Sequence, residues 1–402
     1  MSTPTTAVQL LPDNPRVTPH VLARTPARAG GAHCVAYVLT DAPAAPQYDY
    51  AAAPDIACEV HVCDYADPAV RGAVARLTAG DTLFAHYLTA PVARLVRGVA
   101  AGVRVVWGVF GAEFYARPEL CSQGMLLPQT AELERARAGG WRGRKRVEAA
   151  ERGRPSRLAR VVPSVRARTR TLREAMARVD VVATAFPAEF AMIRDAVSPR
   201  ARHAEYTYYS AERAATAASP FAAAQASAKT PLRRTVLVGN NAHASNNHLE
   251  AVAMLLAAGV EPDDILLPLA YGDPDYRVAL RERLPAGVRT LNAPLPLGDY
   301  LALLATCRAA VFNHRRQQAF GNVVALLRQG ARVWLRPENA IGSLLDELDL
   351  PYGRLGTDPL DVATLGPLSP EQVAEALPRF ETYFAEERVR ALHQAALLDG
   401  EA

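Results

Sequence analysis

Short apolar runs hand over to helix-length amphipathic segments, and the chain does this in two separate series. In the first half AHCVAYVLT, IACEVHVCD, DTLFAHYLT, VRVVWGVFG and VDVVATAF alternate with segments such as PAVRGAVARLTAG and APVARLVRGVAAG. In the second half RRTVLVGN, DDILLPLAYG, VRTLNA, AAVFNH and ARVWLRP alternate with SNNHLEAVAMLLAAG, DYRVALRERL, GDYLALLATC and GNVVALLRQG. Apolar runs of five to eight residues between helical patterns are the mark of βα units on a parallel sheet buried on both faces. The pattern predicts two α/β halves on parallel sheets, joined by a hinge, with a cleft between them. Ligands of such sheets sit beyond the carboxyl ends of the strands.

The domain limits follow from composition. Residues 1–30 carry Pro and Thr without periodicity and read as a poorly ordered lead-in. Residues 31–210 form the N-terminal domain, and the Ala-, Ser-, Thr- and Pro-rich stretch 211–231 reads as a linker. Residues 232–368 form the C-terminal domain, and 369–402 the terminal helices. A chain of 402 residues is too long for one ordinary core and comfortable for two.

Apolar residues make up 50% of the chain and charged residues 21%, which is globular composition. No charged segment followed by an apolar core opens the chain, so no signal peptide is expected. The apolar stretch from Val92 to Ala112 is broken by Arg94, Arg97 and Arg104, which argues against a membrane span. Cys34, Cys58, Cys63, Cys121 and Cys307 are scattered and odd in number, with no CxxC pair. A disulfide scaffold, a collagen-like fibre and an integral membrane protein are excluded at this level.

Polar residues gather where strands of the second half end. RRTVLVG runs into Asn240, Asn241, His243, Ser245, Asn246, Asn247 and His248. A Ser or Asn there caps the following helix, and the amides behind it form an anion site. AAVFN runs into His314, Arg315, Arg316, Gln317 and Gln318, with Gly321 and Asn322 opening the next helix. Guanidiniums beside carboxamides suit a diphosphate, and Gly321 would admit a phosphate close to the backbone. At a third strand end, Tyr271 and Gly272 offer an aromatic face and a tight turn; Tyr271 lines a ligand pocket or is simply a half-buried loop tyrosine. In the first half, Glu113 after Gly111 is the first candidate for a general base and His86 the second.

Residues 135–178 hold fifteen basic side chains against Glu148, Glu151 and Glu174. This block fits an anionic membrane surface or a lipid-linked diphosphate. Trp141 is its lone aromatic residue, so base stacking is unsupported and no nucleic-acid partner is expected.

Together VLVGNNAHASNNHLEAV, PLAYGDPDYRVAL, DYLALLATCRAAVFNHRRQQAFGNVVALLRQG and VVWGVFGAEFY resemble the bacterial TDP-N-acetylfucosamine:lipid II N-acetylfucosaminyltransferases (4-alpha-L-fucosyltransferase-like, glycosyltransferase family 56). The likeness runs from about His86 to Pro337 and is strongest over Val236–Pro337. It implies a GT-B fold whose C-terminal domain grips the nucleotide-sugar. It also implies transfer of a 4-acetamido-4,6-dideoxyhexose from a dTDP donor to a lipid-diphosphate-linked saccharide in enterobacterial common antigen synthesis. Gly239, Asn240, Ser245, Asn246, Asn247 and His248 would form the first donor-phosphate loop. Asn313, Arg315, Arg316, Gln317, Gln318, Gly321 and Asn322 would form the second, with Tyr271 and Gly272 a third. Arg316 would carry charge stabilisation in catalysis. The family motif has Asp where this chain has Glu113.

The resemblance implies a GT-B enzyme that neutralises the departing diphosphate with Arg side chains and helix N-termini, so no metal and no cofactor are expected. The expected place is cytoplasmic, peripheral at the inner face of the bacterial inner membrane. Two rivals remain: a GT-B epimerase or hydrolase with water as acceptor, and a basic peripheral membrane or nucleic-acid binding module using the α/β halves as scaffold.

Overall fold

The computed structural model describes residues 5–15, 17–50, 53, 55–153, 163–210 and 234–398. The chain divides into two compact units. The first takes Met1–Cys121, Ala159–Tyr208 and Glu387–Ala402; the second takes Ser122–Leu158 and Tyr209–Glu386.

The first unit is built on an eight-stranded sheet: β1 (Thr6–Pro12), β2 (Arg28–Ala29), β3 (Ala32–Leu39), β4 (Glu59–Cys63), β5 (Thr82–His86), β6 (Arg104–Gly108), β7 (Val181–Ala183) and β8 (Arg202–Ala204). The strand order is β2-β3-β1-β5-β6-β7-β8, with β4 also paired to β3. Every pairing is parallel except the short β2–β3 hairpin, which turns at Gly30 and Gly31. Burial on both faces explains the near-continuous apolar runs: β5 is buried at all five positions.

The expected lead-in to residue 30 gives way to structure. β1 lies between β3 and β5, in register from Thr6↔His33 to Pro12↔Leu39, and helix Thr18–Arg24 follows it. The run Ala7–Leu11 is long enough for a central strand, and the Pro and Thr around it mask that signal. Its one polar side chain, Gln9, is buried and hydrogen-bonded.

The second unit holds a six-stranded, wholly parallel sheet: β9 (Thr235–Val238), β10 (Ile265–Pro268), β11 (Arg289–Leu291), β12 (Cys307–Phe312), β13 (Arg332–Leu335) and β14 (Gly353–Arg354). Its order is β11-β10-β9-β12-β13-β14. The order reverses between β9 and β12, so the topological switch point lies at their carboxyl ends. Val236, Val238, Leu267 and Val311 form the core with Ala251 and Leu255 of helix His248–Ala257.

The expected linker 211–231 lies outside the described residues. The Arg-rich block is divided: helix Pro163–Ala177 belongs to the first unit and helix Gly140–Arg152 to the second, while 154–162 lies outside the described residues. The terminal helices part too, Pro370–Tyr383 with the second unit and Glu386–Leu398 packing almost wholly with the first. Both assignments arise from contacts remote in sequence, which composition does not encode.

Segment 122–153 docks on the second unit through named bonds. The Leu127 amide donates to Asn247 Oδ1 at 2.8 Å, and Thr130 donates to Glu250 through its amide (2.9 Å) and hydroxyl (2.6 Å). Arg137 pairs with Asp273 at 2.7 Å, and Gln123 donates to the carbonyl of Arg315. These partners belong to the loops after β9, β10 and β12 and to the first turn of helix His248–Ala257, so the segment lies across the carboxyl edge of this sheet.

Candidate functional site

The loop after β9 begins with Gly239 at φ +68°, a backbone region costly for other residues. A methyl group there would stand 2.6 Å from Asn246 Oδ1 and 2.8 Å from His248 Nε2. Asn246 shapes the loop. Its Oδ1 accepts from the Asn240 amide (2.9 Å) and from His314 Nε2 (2.8 Å), while its Nδ2 donates to Asn241 Oδ1 and to the His243 carbonyl, both at 2.8 Å. Asn247 ties the loop to its neighbours. Its Nδ2 meets the carbonyls of Met125 and Asn313 at 3.1 Å each, and Asn313 Nδ2 returns a 3.1 Å bond to the Asn247 carbonyl.

Above this frame runs a circuit of side chains from three strand ends. Asn240 Nδ2 donates to Tyr271 Oη at 3.1 Å, and Gln318 Nε2 donates to Asn240 Oδ1 at 2.9 Å. Ser245 Oγ donates to Gln318 Oε1 at 2.8 Å, and His243 Nδ1 lies 3.0 Å from that hydroxyl. Asn240, Ser245 and Gln318 are buried, whereas Tyr271 is 40% exposed. Backbone bonds join the loops as well: the Ala242 amide donates to the Tyr271 carbonyl (2.7 Å) and the Asp273 amide to the Ala242 carbonyl (2.8 Å). That close approach requires Gly272, at φ +116°, whose added methyl would sit 2.6 Å from the Ala242 oxygen.

Three expected donor residues have other duties. Arg315 Nε bonds Glu338 Oε1 at 3.1 Å, and Arg316 Nη1 donates to the Gln317 carbonyl at 3.0 Å, its charge bearing on His243. Gly321 does not leave its backbone open: a methyl there would stand 2.7 Å from the Tyr209 ring, so the glycine makes room for an aromatic neighbour. Asn322 Nδ2 donates to Tyr300 Oη at 2.8 Å, facing helix Leu297–Ala305. The circuit instead recruits His243, which stands in the motif without an assigned role.

Two buried imidazoles lie beneath the loop. His248 Nδ1 meets Tyr276 Oη at 3.0 Å, and burial, then the nearby His243, bring it down to about 3. Burial holds His314 well below the usual histidine range, with Arg316 adding to it. Asn246 Oδ1 accepts, so His314 Nε2 carries the ring hydrogen and Nδ1 is its basic nitrogen. Among the described residues, His248 Nε2 and His314 Nδ1 have no hydrogen-bond partner.

The two candidate bases lie in the first unit. Glu113 opens a short helix, Ala112–Tyr115, and is buried; its Oε1 accepts from Trp107 Nε1 (3.1 Å) and the Phe110 amide (2.9 Å), which pins the turn after β6. His86 is 1% exposed, stacked on Phe84 at 3.9 Å. Its Nε2 meets Gln9 Oε1 at 3.1 Å and its Nδ1 meets Tyr208 Oη at 3.3 Å. Burial, then the neighbouring His393, hold it well below the usual range. The structure makes His86 a core histidine with both nitrogens occupied. The apolar run that places it at a strand tip also buries it.

Among the described residues no group of three or more His, Cys, Asp or Glu is placed to hold a metal ion. Among them, no helix is long and apolar enough to cross a membrane.

Solved structures with the same arrangement span nearly the whole chain. The Candida albicans trehalose-6-phosphate phosphatase N-terminal domain matches with a TM-score of 0.59 at 9% identity, covering 99% of this chain and 97% of that one. The UDP-forming alpha,alpha-trehalose-phosphate synthase of Burkholderia vietnamiensis matches with a TM-score of 0.52 at 13% identity, covering 98% and 96%. Its Burkholderia xenovorans counterpart gives 0.51 at 12%, covering 98% and 96%. At such identities the likeness shows fold alone, and that fold is GT-B, two Rossmann-like domains. The family model described as 4-alpha-L-fucosyltransferase, glycosyl transferase group 56, matches residues 176–388, more than half of the chain. With the circuit at the switch point of a GT-B domain, that match makes the chain a member of the 4-alpha-L-fucosyltransferase family, glycosyl transferase group 56, and a hexosyltransferase.

Proposed function

We propose that the protein moves a deoxy-amino sugar, of the 4-acetamido-4,6-dideoxyhexose kind, from a dTDP donor to a lipid-diphosphate-linked saccharide. The pathway would be surface polysaccharide assembly of the enterobacterial common antigen type. The observation that carries this reading is the circuit Tyr271–Asn240–Gln318–Ser245, which joins three strand ends at the switch point of the second unit. A polar network held this tightly at the mouth of a parallel sheet is a ligand platform. Gly239, Asn240, Ser245, Tyr271, Gly272, Gln317 and Gln318 would line the donor site, with Asn246, Asn247, His248 and Asn313 as its frame. Arg316 would stabilise the departing diphosphate, on which charge grows in the transition state.

The basic segment supports a peripheral place at the inner face of the inner membrane. Helix Gly140–Arg152 exposes Arg144, Lys145, Arg146 and Arg152 while burying Val147 and Ala149. Lys145 is matched by Glu148 at 2.7 Å and Arg135 by Glu151 at 2.6 Å, so part of the block's charge is neutralised within the fold.

Thermal-shift titration with dTDP, UDP, GDP and ADP tests the reading, because binding to the folded state alone raises the midpoint. A rise with dTDP only is the expected result. A rise with UDP or GDP instead keeps the transferase and discards the thymidine donor; no rise with any nucleotide overturns the donor site.

A further inference from the structure

The loop after β9 contains one imidazole whose outer nitrogen the circuit does not use. His243 Nδ1 accepts from the Ser245 amide at 3.2 Å. The Ser245 hydroxyl hydrogen goes to Gln318 Oε1, so that hydroxyl cannot also protonate the ring. Nδ1 is therefore the basic nitrogen, and Nε2 carries the ring hydrogen on the side away from the loop of an exposed residue.

Charged groups from every neighbouring element bear on this ring. Arg316 comes from the loop after β12, Asp273 from the loop after β10, and His248 and His314 lie beneath it. Desolvation of the packed side of the ring, then Arg316, pull the imidazole below its usual range, while Asp273 pulls the other way. Asp273 is already committed: it pairs with Arg137 at 2.7 Å and caps helix Pro274–Arg281. The ring is thus a neutral donor beside a permanent cation, at the carboxyl end of a central strand. An arriving polyanion would cancel the repulsion from Arg316 and favour the imidazolium.

We infer that His243 and Arg316 together anchor the diphosphate of the donor, and that His243 takes up one proton from solvent when the diphosphate binds. The inference rests on the donor-site reading above and adds a residue and a proton to it. The solvent proton adds to Nδ1, which gives up the bond from the Ser245 amide and donates instead to the Ser245 hydroxyl oxygen 3.0 Å away, while Nε2–H donates to phosphate oxygen. On release of the nucleoside diphosphate the proton returns to solvent.

The test is calorimetric titration of the full chain with dTDP, UDP and inorganic pyrophosphate in buffers of different ionisation heat. At pH 7.5, well above the phosphate second pKa of about 6, the nucleoside diphosphates themselves exchange little, whereas inorganic pyrophosphate keeps a titratable proton and serves to report affinity alone. Wild type should take up a measurable fraction of a proton per ligand, because the bound diphosphate raises the imidazole's affinity for one. His243→Gln should take up nearly none and bind about tenfold more weakly at pH 6.5, one pKa unit being a factor of ten. Its exposed position keeps the fold intact, which an unchanged melting curve confirms. Binding without proton uptake, or equal uptake in His243→Gln, overturns the inference alone. Failure of all three ligands to bind overturns the donor-site reading as well.

Discussion

Each unit buries a histidine network, and the two differ in closure. In the first unit both ring nitrogens of His86 and of His393 have partners. Gln9 Nε2 donates to Thr25 Oγ1 at 2.7 Å, so Gln9 Oε1 is the end that accepts from His86 Nε2. Thr25 gives its own hydrogen to the Val21 carbonyl at 2.9 Å, so His393 Nε2 must donate to Thr25 at 3.0 Å. His393 Nδ1 then accepts from Tyr206 Oη at 3.0 Å, and His86 Nδ1 accepts from Tyr208 Oη. Both rings are neutral, and the network leaves nothing for a substrate. In the second unit His248 and His314 each satisfy one nitrogen among the described residues, and His243 is an exposed residue bonded through Nδ1. A closed network fixes packing, as where the helix Glu386–Leu398 joins the first unit; the open one lies under the loops proposed to bind the donor.

The largest expected effect separates the two most sharply. Arg316→Ala should lower turnover by about 10²–10³, the usual cost of removing one transition-state donor. Its melting midpoint should hardly move, since the guanidinium is half-buried and lies at the rim of the open network. Near-full turnover in this variant would remove Arg316 from the chemistry.

His393→Ala is the counterpart in the closed network. It removes the acceptor of the buried Tyr206 hydroxyl and leaves a cavity beside Phe84. The cost should be about 3 kcal/mol in urea unfolding. Diphosphate affinity should stay within about twofold of wild type, two- to threefold being the usual context spread of such effects. A tenfold loss of affinity would mean that the closed network reaches the ligand after all.

The difference between what the sequence makes legible and what it hides follows the same division. The second unit's loops are readable because strand, polar cluster and helix follow one another directly, as in VLVGNNAHASNNHLEAV and AAVFNHRRQQAFGN. The two α/β halves are readable from alternation alone. Partners far away in sequence are not: Asn247 bonds Met125 and Leu127 about 120 positions earlier, and nothing local announces it. Gly321 and Arg315 read as ligand residues because composition cannot say that Tyr209 and Glu338 already occupy them. His86 and Gln9 are 77 positions apart, so a histidine at a strand tip reads as exposed chemistry when it is packing.

Acid should weaken both networks. His393 is brought down to about 3 by burial, then Arg24 and Arg390, and His248 likewise by burial, then His243. Unfolded, each returns towards 6.5 and binds a proton that the folded state refuses. Stability is therefore full above about pH 6.5 and is lost as pH falls towards 3, by about 2 kcal/mol per histidine at pH 5. Urea unfolding at pH 7 and pH 5 measures this, and the His393→Ala slope should be shallower by one proton. Equal stability at the two pH values would contradict the neutral, buried assignment.

The smallest effect tests where the open network ends. Asn322 lies four positions after Gln318 in the same motif, yet its carboxamide turns to Tyr300 while that of Gln318 bridges Ser245 and Asn240. Asn322→Ala should cost about 1 kcal/mol of stability, the net worth of one neutral hydrogen bond, and leave diphosphate affinity nearly unchanged. Gln318→Ala opens the circuit at two points and should weaken diphosphate binding about tenfold, the 1.4 kcal/mol scale of a lost network bond. Equal losses of affinity in the two variants would place Asn322 in the site and carry the open network past the start of the helix. Unequal losses place its edge at Gln318, where the chain turns through Ala319 at φ +64° into helix Phe320–Arg328.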